Sequence, residues 1–179
     1  MYKKIIVCLG LVSLFVFPSS VSASYDQSSA ESYLVAHSNN PWSTMALSAI
    51  GSDSIPSDYL KSVSGSSAIE YAAPILAITS LQQDPRKFGN KDLIAELEKF
   101  HTQNQIGDDT TINDDIFGLL ALISAGVKDD TTSDAKNFIL ANQQTSGGWG
   151  FSTDGGTDSN TTAAAIVALK AARLSKSSP

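Results

Sequence analysis

Cysteine is almost absent from this chain of 179 residues, because the only one, Cys8, lies in a short apolar run near the N-terminus. The rest of the chain therefore cannot form a disulfide, a thiolate zinc site, a cysteine nucleophile or an internal thioester. Histidine is also scarce, with His37 and His101 as the only two. Both fall near the C-terminal ends of predicted helices, where the helix dipole favours a cation. The sequence predicts no metal site built on cysteine or histidine.

Basic residues are outnumbered, with 12 Lys and Arg against 18 Asp and Glu and a formal charge of −6. An acidic surface repels nucleic-acid phosphates and anionic lipid headgroups, so we expect no nucleic-acid partner. A G-x-S-x-G turn, which would present a serine nucleophile, is missing from the sequence. So is the sustained period-two alternation that is typical of β-strands. These absences favour an all-α protein without nucleophilic catalysis.

Long apolar runs are limited to residues 5–17, which are fewer than the roughly 20 residues a membrane-spanning helix needs. The run follows two lysines and precedes the small and polar residues 18–23, which is the order of regions in a secretory signal. We predict a signal peptide at residues 1–23 and an exported domain at residues 24–179. Loss of the two lysines would change the formal charge from −6 to −8. The expected location is extracytoplasmic, secreted or at the cell surface, with no membrane insertion after cleavage.

Four windows of twelve residues resemble one another, and each ends in an apolar residue, any residue, alanine and an apolar residue. Their spacing is typical of helical repeats. In the third window Ile112, Ile116 and Leu119 recur at helical spacing and form one apolar face. The fourth window is so rich in alanine that its helix could pack closely on several sides. We predict one inner helix per window, at residues 39–50, 67–78, 111–122 and 158–169.

A more polar helical segment precedes each window and is predicted to be an outer helix. Leu93, Leu97 and Phe100 make the third of these the most regular, because they form a stripe opposite charged residues. Pro74 lies inside the second inner helix and is expected to bend or shorten it. The predicted outer helices are residues 28–38, 57–63, 91–103 and 133–144. Four αα-hairpins of this kind indicate an all-α solenoid or a closing α/α barrel.

The last hairpin carries the pattern Phe138-Ile139-x3-Gln143-x3-Gly147-x-Trp149. This pattern resembles the QW repeat of the terpenoid cyclase and prenyltransferase α/α-toroid superfamily, and residues 158–169 look like its inner-helix signature. Looser matches resemble secreted bacterial relatives of that toroid, which are similar in turn to the helical domain of the cobalamin carriers, intrinsic factor and transcobalamin. These looser matches are at residues 39–42, 84–89, 105–107 and 113–117. The resemblance implies αα-hairpin repeats that form a partial, open α/α toroid.

The catalytic motifs of that superfamily are incomplete here. Its terpene cyclases protonate their substrate with a D-x-D-D motif, of which residues 106–109 and 112–115 lack the first aspartate. Its protein prenyltransferases need a cysteine among their zinc ligands. The sequence therefore favours a non-catalytic exported binding or interaction module, holding a small ligand such as cobalamin. Two alternatives stay open: a terpene cyclase-like enzyme fragment that uses Asp114 or Asp115 on isoprenoids, and a structural cell-surface or adhesion segment.

In a toroid of this superfamily the N-termini of the inner helices gather at one mouth of the central cavity. The resemblance therefore implies a candidate ligand rim, although a capped helix bundle would show the same pattern. The QW residues are predicted to be structural, with Gln143 pairing backbone groups at the helix end and Trp149 and Phe151 covering that end. The structural set is Phe138, Gln143, Gly147 and Trp149, and the rim set is Trp42, Tyr71, Asn113, Asp114, Asp158 and Thr161.

Several acidic clusters precede predicted helices, where Asp, Asn and Thr cap free N–H groups. Capping accounts for most of them. The loop with Asp154, Asp158 and Asn160 is also rich in oxygen ligands and glycine, so a bound calcium ion is the second interpretation. Four hairpins are fewer than a closed toroid of the superfamily uses. We therefore expect either a missing C-terminal part or self-association that covers the terminal repeat.

Overall fold

The computed structural model describes residues 25–174, with side chains up to residue 172. The predicted signal peptide at residues 1–23 lies outside the described residues. The described part contains seven α-helices, one 3-10 helix and one two-stranded ribbon, so the predicted all-α class is confirmed. In chain order the elements are α1 (Gln27–Ala36), α2 (Pro41–Ala49), a 3-10 helix (Asp58–Ser62), α3 (Ile69–Ser80), α4 (Leu93–Glu98), β1 (His101–Thr102), β2 (Gln105–Ile106), α5 (Ile112–Ser124), α6 (Asp130–Ala141) and α7 (Ser159–Leu174).

The four repeat helices α2, α3, α5 and α7 coincide with the four windows of the sequence. Their starts are fixed by local chemistry. Asn40 caps α2 by accepting the N–H of Trp42 at 2.9 Å, and Pro41 supplies the favoured first helical residue. Asp158 accepts the N–H of Thr161 at 2.8 Å at the start of α7. Pro74 lies inside α3, which nevertheless runs over 12 residues, so the expected shortening does not occur.

The predicted outer helices are only partly correct. The second shrinks to the 3-10 helix, and the third ends at Glu98 rather than Gln103. The chain there turns into the β1–β2 ribbon, with Gln103 in the left-handed region at a φ of 52°. His101 is therefore a strand residue instead of a helix end, and its Nε2 lies 3.0 Å from Oδ2 of Asp134 on α6. The ribbon thus replaces the last helical turn and contacts both α5 and α6.

The core is built by each repeat helix packing against the next, α2 on α3, α3 on α5 and α5 on α7. The helices α1, α4 and α6 pack against α2, α3 and α5 respectively. The apolar face predicted for the third window is buried as expected. Among the described residues, no helix has the length and apolar character needed to cross a membrane. The largest fully buried apolar side chains are Leu47, Leu60, Ile75, Ile78, Leu97, Ile106, Ile112, Ile116, Leu119, Leu122 and Ile139.

Helix α7 packs against α5 and, less extensively, against α6. Ala165 and Ala168 are fully buried against the neighbouring helices. Ile166 and Val167, the larger side chains beside them, are 54% and 57% exposed. The small residues let α7 lie close to α5, whereas the branched residues point away from it.

Candidate functional site

The QW segment fastens the end of α6 to the start of α7. Trp149 is buried, and its indole Nε1 donates to the carbonyl of Ile139 at 2.6 Å. Gln143 donates through Nε2 to the carbonyl of Gly147 at 2.8 Å, and Gly147 adopts a φ of 88° that suits glycine. Phe138 is half-buried against the core. These contacts support the structural interpretation of the QW residues.

The loop after Trp149 is held against the start of α5. The N–H of Ile112 donates to the carbonyl of Phe151 at 3.0 Å, and the N–H of Thr153 donates to the carbonyl of Thr110 at 2.9 Å. The loop closes on itself where the N–H of Asp158 reaches the carbonyl of Trp149 at 3.0 Å. Phe151 therefore stands at the α5 N-terminus with 57% of its surface exposed. The sequence had predicted that Phe151 covers the end of α6, and more than half of its surface is instead open to solvent.

Aromatic and polar side chains from α5, this loop and α7 enclose a hollow of about 360 Å³, here named the aromatic cleft. Phe117 forms part of one wall, and the ring of Trp42 meets it edge-on with centroids 5.4 Å apart. Trp42 itself is 48% exposed, so its ring extends the aromatic surface toward α2. The residues that line the cleft are Asn113, Phe117, Phe151, Asp158, Asn160, Thr161 and Ala164.

Within the described residues, no basic side chain lines the cleft. Asp158 is the single ionisable residue among its lining side chains. Hydrogen bonds from the backbone and side chain of Thr161 lower the pKa of Asp158, which keeps its carboxylate ionised. The carboxylate of Asp158 accepts a hydrogen bond from the first turn of α7 and is also exposed to solvent. The cleft therefore disfavours phosphates, sulfates and carboxylates.

The structure brings half of the predicted rim together. Asn113, Asp158 and Thr161 line the aromatic cleft, and Trp42 adjoins it through Phe117. The other two members, Tyr71 and Asp114, lie elsewhere.

Tyr71 is buried. Its hydroxyl donates to the carbonyl of Gly65 at 3.1 Å, and its ring lies 5.9 Å from that of Phe100. Asp114 turns toward the loop before α5, where its Oδ2 accepts the N–H of Asp108 at 3.2 Å. Neither residue lines the cleft.

Asp115 is the most perturbed acid of the described residues. It is fully buried, and its Oδ1 accepts the N–H of Ile106 at 2.9 Å, tying β2 to α5. Burial is the main cause that raises its pKa, the bond from Ile106 opposes it and the charge of Asp114 adds to it, with a net pKa of about 8. Asp115 is thus a neutral acid at pH 7, but it lines neither the aromatic cleft nor the hollow beside the ribbon.

Of the three proposed calcium ligands, two line the aromatic cleft. Asp158 and Asn160 line the cleft, whereas Asp154 is exposed and absent from that lining. Across residues 25–174 no group of three or more His, Cys, Asp or Glu side chains is placed to hold a metal ion. Helix capping by Asp158 is the role that the geometry supports in this loop.

Sequence reasoning missed Phe117 and Ala164, and it assigned Phe151 and Asn160 to other roles. Phe117 follows Ile116 and therefore lies outside the buried apolar stripe of α5. An aromatic residue outside that stripe is the signal that could have identified it as a site residue. Ala164 lies one turn after Asn160 on the same face of α7. Phe151 lies in an irregular loop, where no periodic pattern predicts the direction of its side chain.

A second hollow of about 430 Å³ lies beside the β1–β2 ribbon. Phe138 is its only apolar side chain apart from the stems of polar residues. Its lining residues are Thr102, Gln103, Asn104, Gln105, Gly107, Asp108, Asp109 and Phe138. The aromatic cleft, with two aromatic rings among its lining residues, is the better candidate for ligand binding.

Comparison with protein-family models, with curated proteins and with solved structures gives no match for this chain.

Proposed function

We propose that the chain is an exported, non-catalytic binding module, whose αα-hairpin repeats form an open α/α toroid and whose ligand sits in the aromatic cleft. One observation carries the proposal: aromatic and polar side chains from three separate segments converge on one hollow. Export is inferred from the signal pattern of residues 1–23. The toroid is inferred from the QW pattern and from the sequential packing of α2, α3, α5 and α7.

The chemistry of the cleft suits recognition. Small-molecule sites combine apolar walls with a few convergent polar groups in roughly 300–1,000 Å³, and about 360 Å³ lies at the lower end of that range. Phe117 and Phe151 supply the apolar walls, while Asn113 and Asn160 supply amides at the rim. A ligand as large as a corrinoid would extend beyond the cleft along Trp42 and the neighbouring surface.

The positions of the acids argue against the cyclase alternative. An alkene-protonating acid must reach its substrate, but Asp115 is enclosed and bonded to Ile106. Asp114 accepts a hydrogen bond from the N–H of Asp108. Both acids thus pin the segment before α5, which supports a structural role for the pair.

The proposal is tested with the chain lacking residues 1–23, by native mass spectrometry against corrinoids, neutral and charged glycans, and short isoprenoids. We expect a ligand that binds the unmodified chain and loses roughly tenfold or more in affinity in Phe151→Ala. Tyr33→Ala is the matched control, because Tyr33 is another exposed aromatic residue, 64% exposed, on α1.

Three results would contradict the proposal. The first is no binding across the panel, and the second is binding that Phe151→Ala leaves unchanged. The third is isoprenoid turnover that disappears in Asp114→Asn or Asp115→Asn, which would favour the cyclase alternative. A stable protein partner combined with an empty cleft would favour the adhesion alternative.

A further inference from the structure

We infer that the ligand of the aromatic cleft is an uncharged carbohydrate, bound with a sugar ring against Phe151 and with its hydroxyls paired to the amides of Asn113 and Asn160. The inference rests on the proposed function and names the ligand class for that site. It is carried by three properties of the cleft: its charge, its exposed rings and its unused amides.

The charge of the cleft disfavours anionic ligands. Of the residues that the structure describes, one carboxylate and no Lys, Arg or His line the cleft, and the whole chain carries a formal charge of −6. Since Asp158 stays ionised through its bonds to Thr161, an anionic ligand would meet repulsion with no cation to offset it. Nucleotides, sugar phosphates and fatty acids are therefore poor ligands, and neutral ones are favoured.

The exposed rings call for a ligand with a flat apolar face. Phe151 leaves 57% of its surface open to solvent, although its backbone is fixed to Ile112. Trp42 stands edge-on to Phe117, so the two rings present surfaces at a steep angle, 79°, to each other. A pyranose has a face of C–H groups that covers an aromatic ring and removes its apolar area from water.

The amides call for hydroxyl partners. Within the described part of the chain, no hydrogen bond engages the side chain of Asn113 or Asn160, whereas the neighbouring Asp158 and Thr161 bond each other. An amide offers donors and an acceptor side by side, which matches the paired donor and acceptor character of adjacent sugar hydroxyls. A purely apolar ligand, such as an isoprenoid, would leave both amides unpaired as it excluded water.

A quaternary ammonium ion is the main chemical competitor, because it favours aromatic faces near a carboxylate. Such cations are held by rings on several sides. Here Asn113 and Asn160 occupy part of the wall that further rings would have to fill. The sugar is therefore the ligand that uses all of the groups present.

The test is a glycan array probed with the chain lacking residues 1–23, in which each neutral glycan is paired with its sialylated or sulfated counterpart. Binding to the best neutral glycan is then measured by calorimetry, with choline as a separate probe. We expect neutral members to be preferred, with Phe151→Ala and Asn160→Ala each weakening binding roughly tenfold. Asn160→Lys should shift preference toward the sulfated counterpart, which loss of shape alone would not do.

The outcomes separate this inference from the proposed function. No binding to any neutral glycan, with choline, a corrinoid or an isoprenoid bound in a manner that depends on Phe151, would overturn the carbohydrate and leave the binding module standing. Glycan binding that neither cleft variant alters would overturn both. Tyr33→Ala serves as the control throughout, since Tyr33 is an exposed aromatic residue that does not line the cleft.

Discussion

Asp115 shows how strongly one residue can depend on its surroundings. Its Oδ2 is buried and has no hydrogen-bond partner among residues 25–174, and the same holds for Oε1 of the nearby Gln105. A carboxylate in that position would lack a donor for its second oxygen, whereas a protonated carboxyl becomes a donor itself. Neutrality is thus the state that the burial of Asp115 favours, and it keeps β2 attached to α5.

This state makes stability depend on pH. Burial raises the pKa of Asp115 from an ordinary 3.8 to about 8. Between these values the folded chain holds a proton that the unfolded chain has lost, so the free energy of unfolding falls as pH rises, by up to about 1.4 kcal/mol per pH unit. Below pH 4 this effect is absent. Above pH 8 the penalty is complete and no longer grows.

Asp115→Asn should remove this dependence, because an amide still accepts from Ile106 and cannot ionise. We expect the variant to gain stability over the unmodified chain progressively from pH 5 to pH 8, as measured by urea unfolding across that range. Asp109→Asn, which neutralises an exposed carboxylate nearby, should run parallel to the unmodified chain. Parallel curves for Asp115→Asn as well would show that Asp115 is ionised when folded.

Trp149 offers a second prediction at the residue scale. Trp149→Phe removes the donor to the carbonyl of Ile139, which then keeps only the N–H of Asn142 at 3.3 Å, and the loss of this buried hydrogen bond costs about 0.5–1.5 kcal/mol. Phe151→Ala, at an exposed site two residues away, should change stability by less than about 0.5 kcal/mol. Denaturant midpoints of the two variants measure the difference. Equal losses of stability in the two variants would contradict the view that Trp149 is a buried structural residue and Phe151 an exposed ligand contact.

The toroid resemblance implied the rim set, and three of its members that line the aromatic cleft lie where a helix begins. Asn113, Asp158 and Thr161 lie at the beginnings of α5 and α7, and caps and periodicity locate such positions. Tyr71 occupies the matching place in α3, but its hydroxyl pairs with Gly65 in an irregular loop. Phe151 is directed by loop-to-helix hydrogen bonds that span many residues. Contacts of that kind have no local signature.

At the scale of elements, the four repeat helices were predictable because each combines a start signal with a helical apolar pattern. The third outer helix was predicted too long, since the stripe of Leu93, Leu97 and Phe100 continues up to the turn. What ends it is tertiary: Ile106 is buried against α5 and its N–H is held by Asp115. Gly107, at a φ of 85°, completes the turn at a place where a Cβ would collide with Asp114.

Helix α7 gives a prediction of its own. Ala168 is fully buried between α7 and its neighbours, so Ala168→Leu should force the helices apart and cost about 1–3 kcal/mol. Val167→Leu adds a single methylene to the adjacent residue, which is 57% exposed, and should be nearly neutral. Thermal unfolding followed by circular dichroism compares the two. A neutral Ala168→Leu would mean that α7 is held loosely against α5.

Across the whole molecule, stability should be graded because the repeat helices pack mainly in sequence. Helices α3 and α5 each pack against repeat helices on both sides, and α5 buries seven of its 13 residues. Helix α1 has no buried residue and packs against α2. An array in which units contact their neighbours opens from its weakest end.

The rate of hydrogen exchange should therefore differ sharply between α1, the least buried of these helices, and α5. Amides of α1 should exchange through local opening, at least roughly 100-fold faster than those of α5, whose exchange requires unfolding of the core. Leu47→Ala, which removes a fully buried side chain from α2, the helix that packs against α1, should raise exchange in α1 and α2 more than in α5. Exchange measured by mass spectrometry on peptides from each helix resolves these rates. Uniform protection from α1 to α5 would instead mean that the repeats unfold as a single cooperative unit, because only strong coupling between all neighbours could hide the weakness of α1.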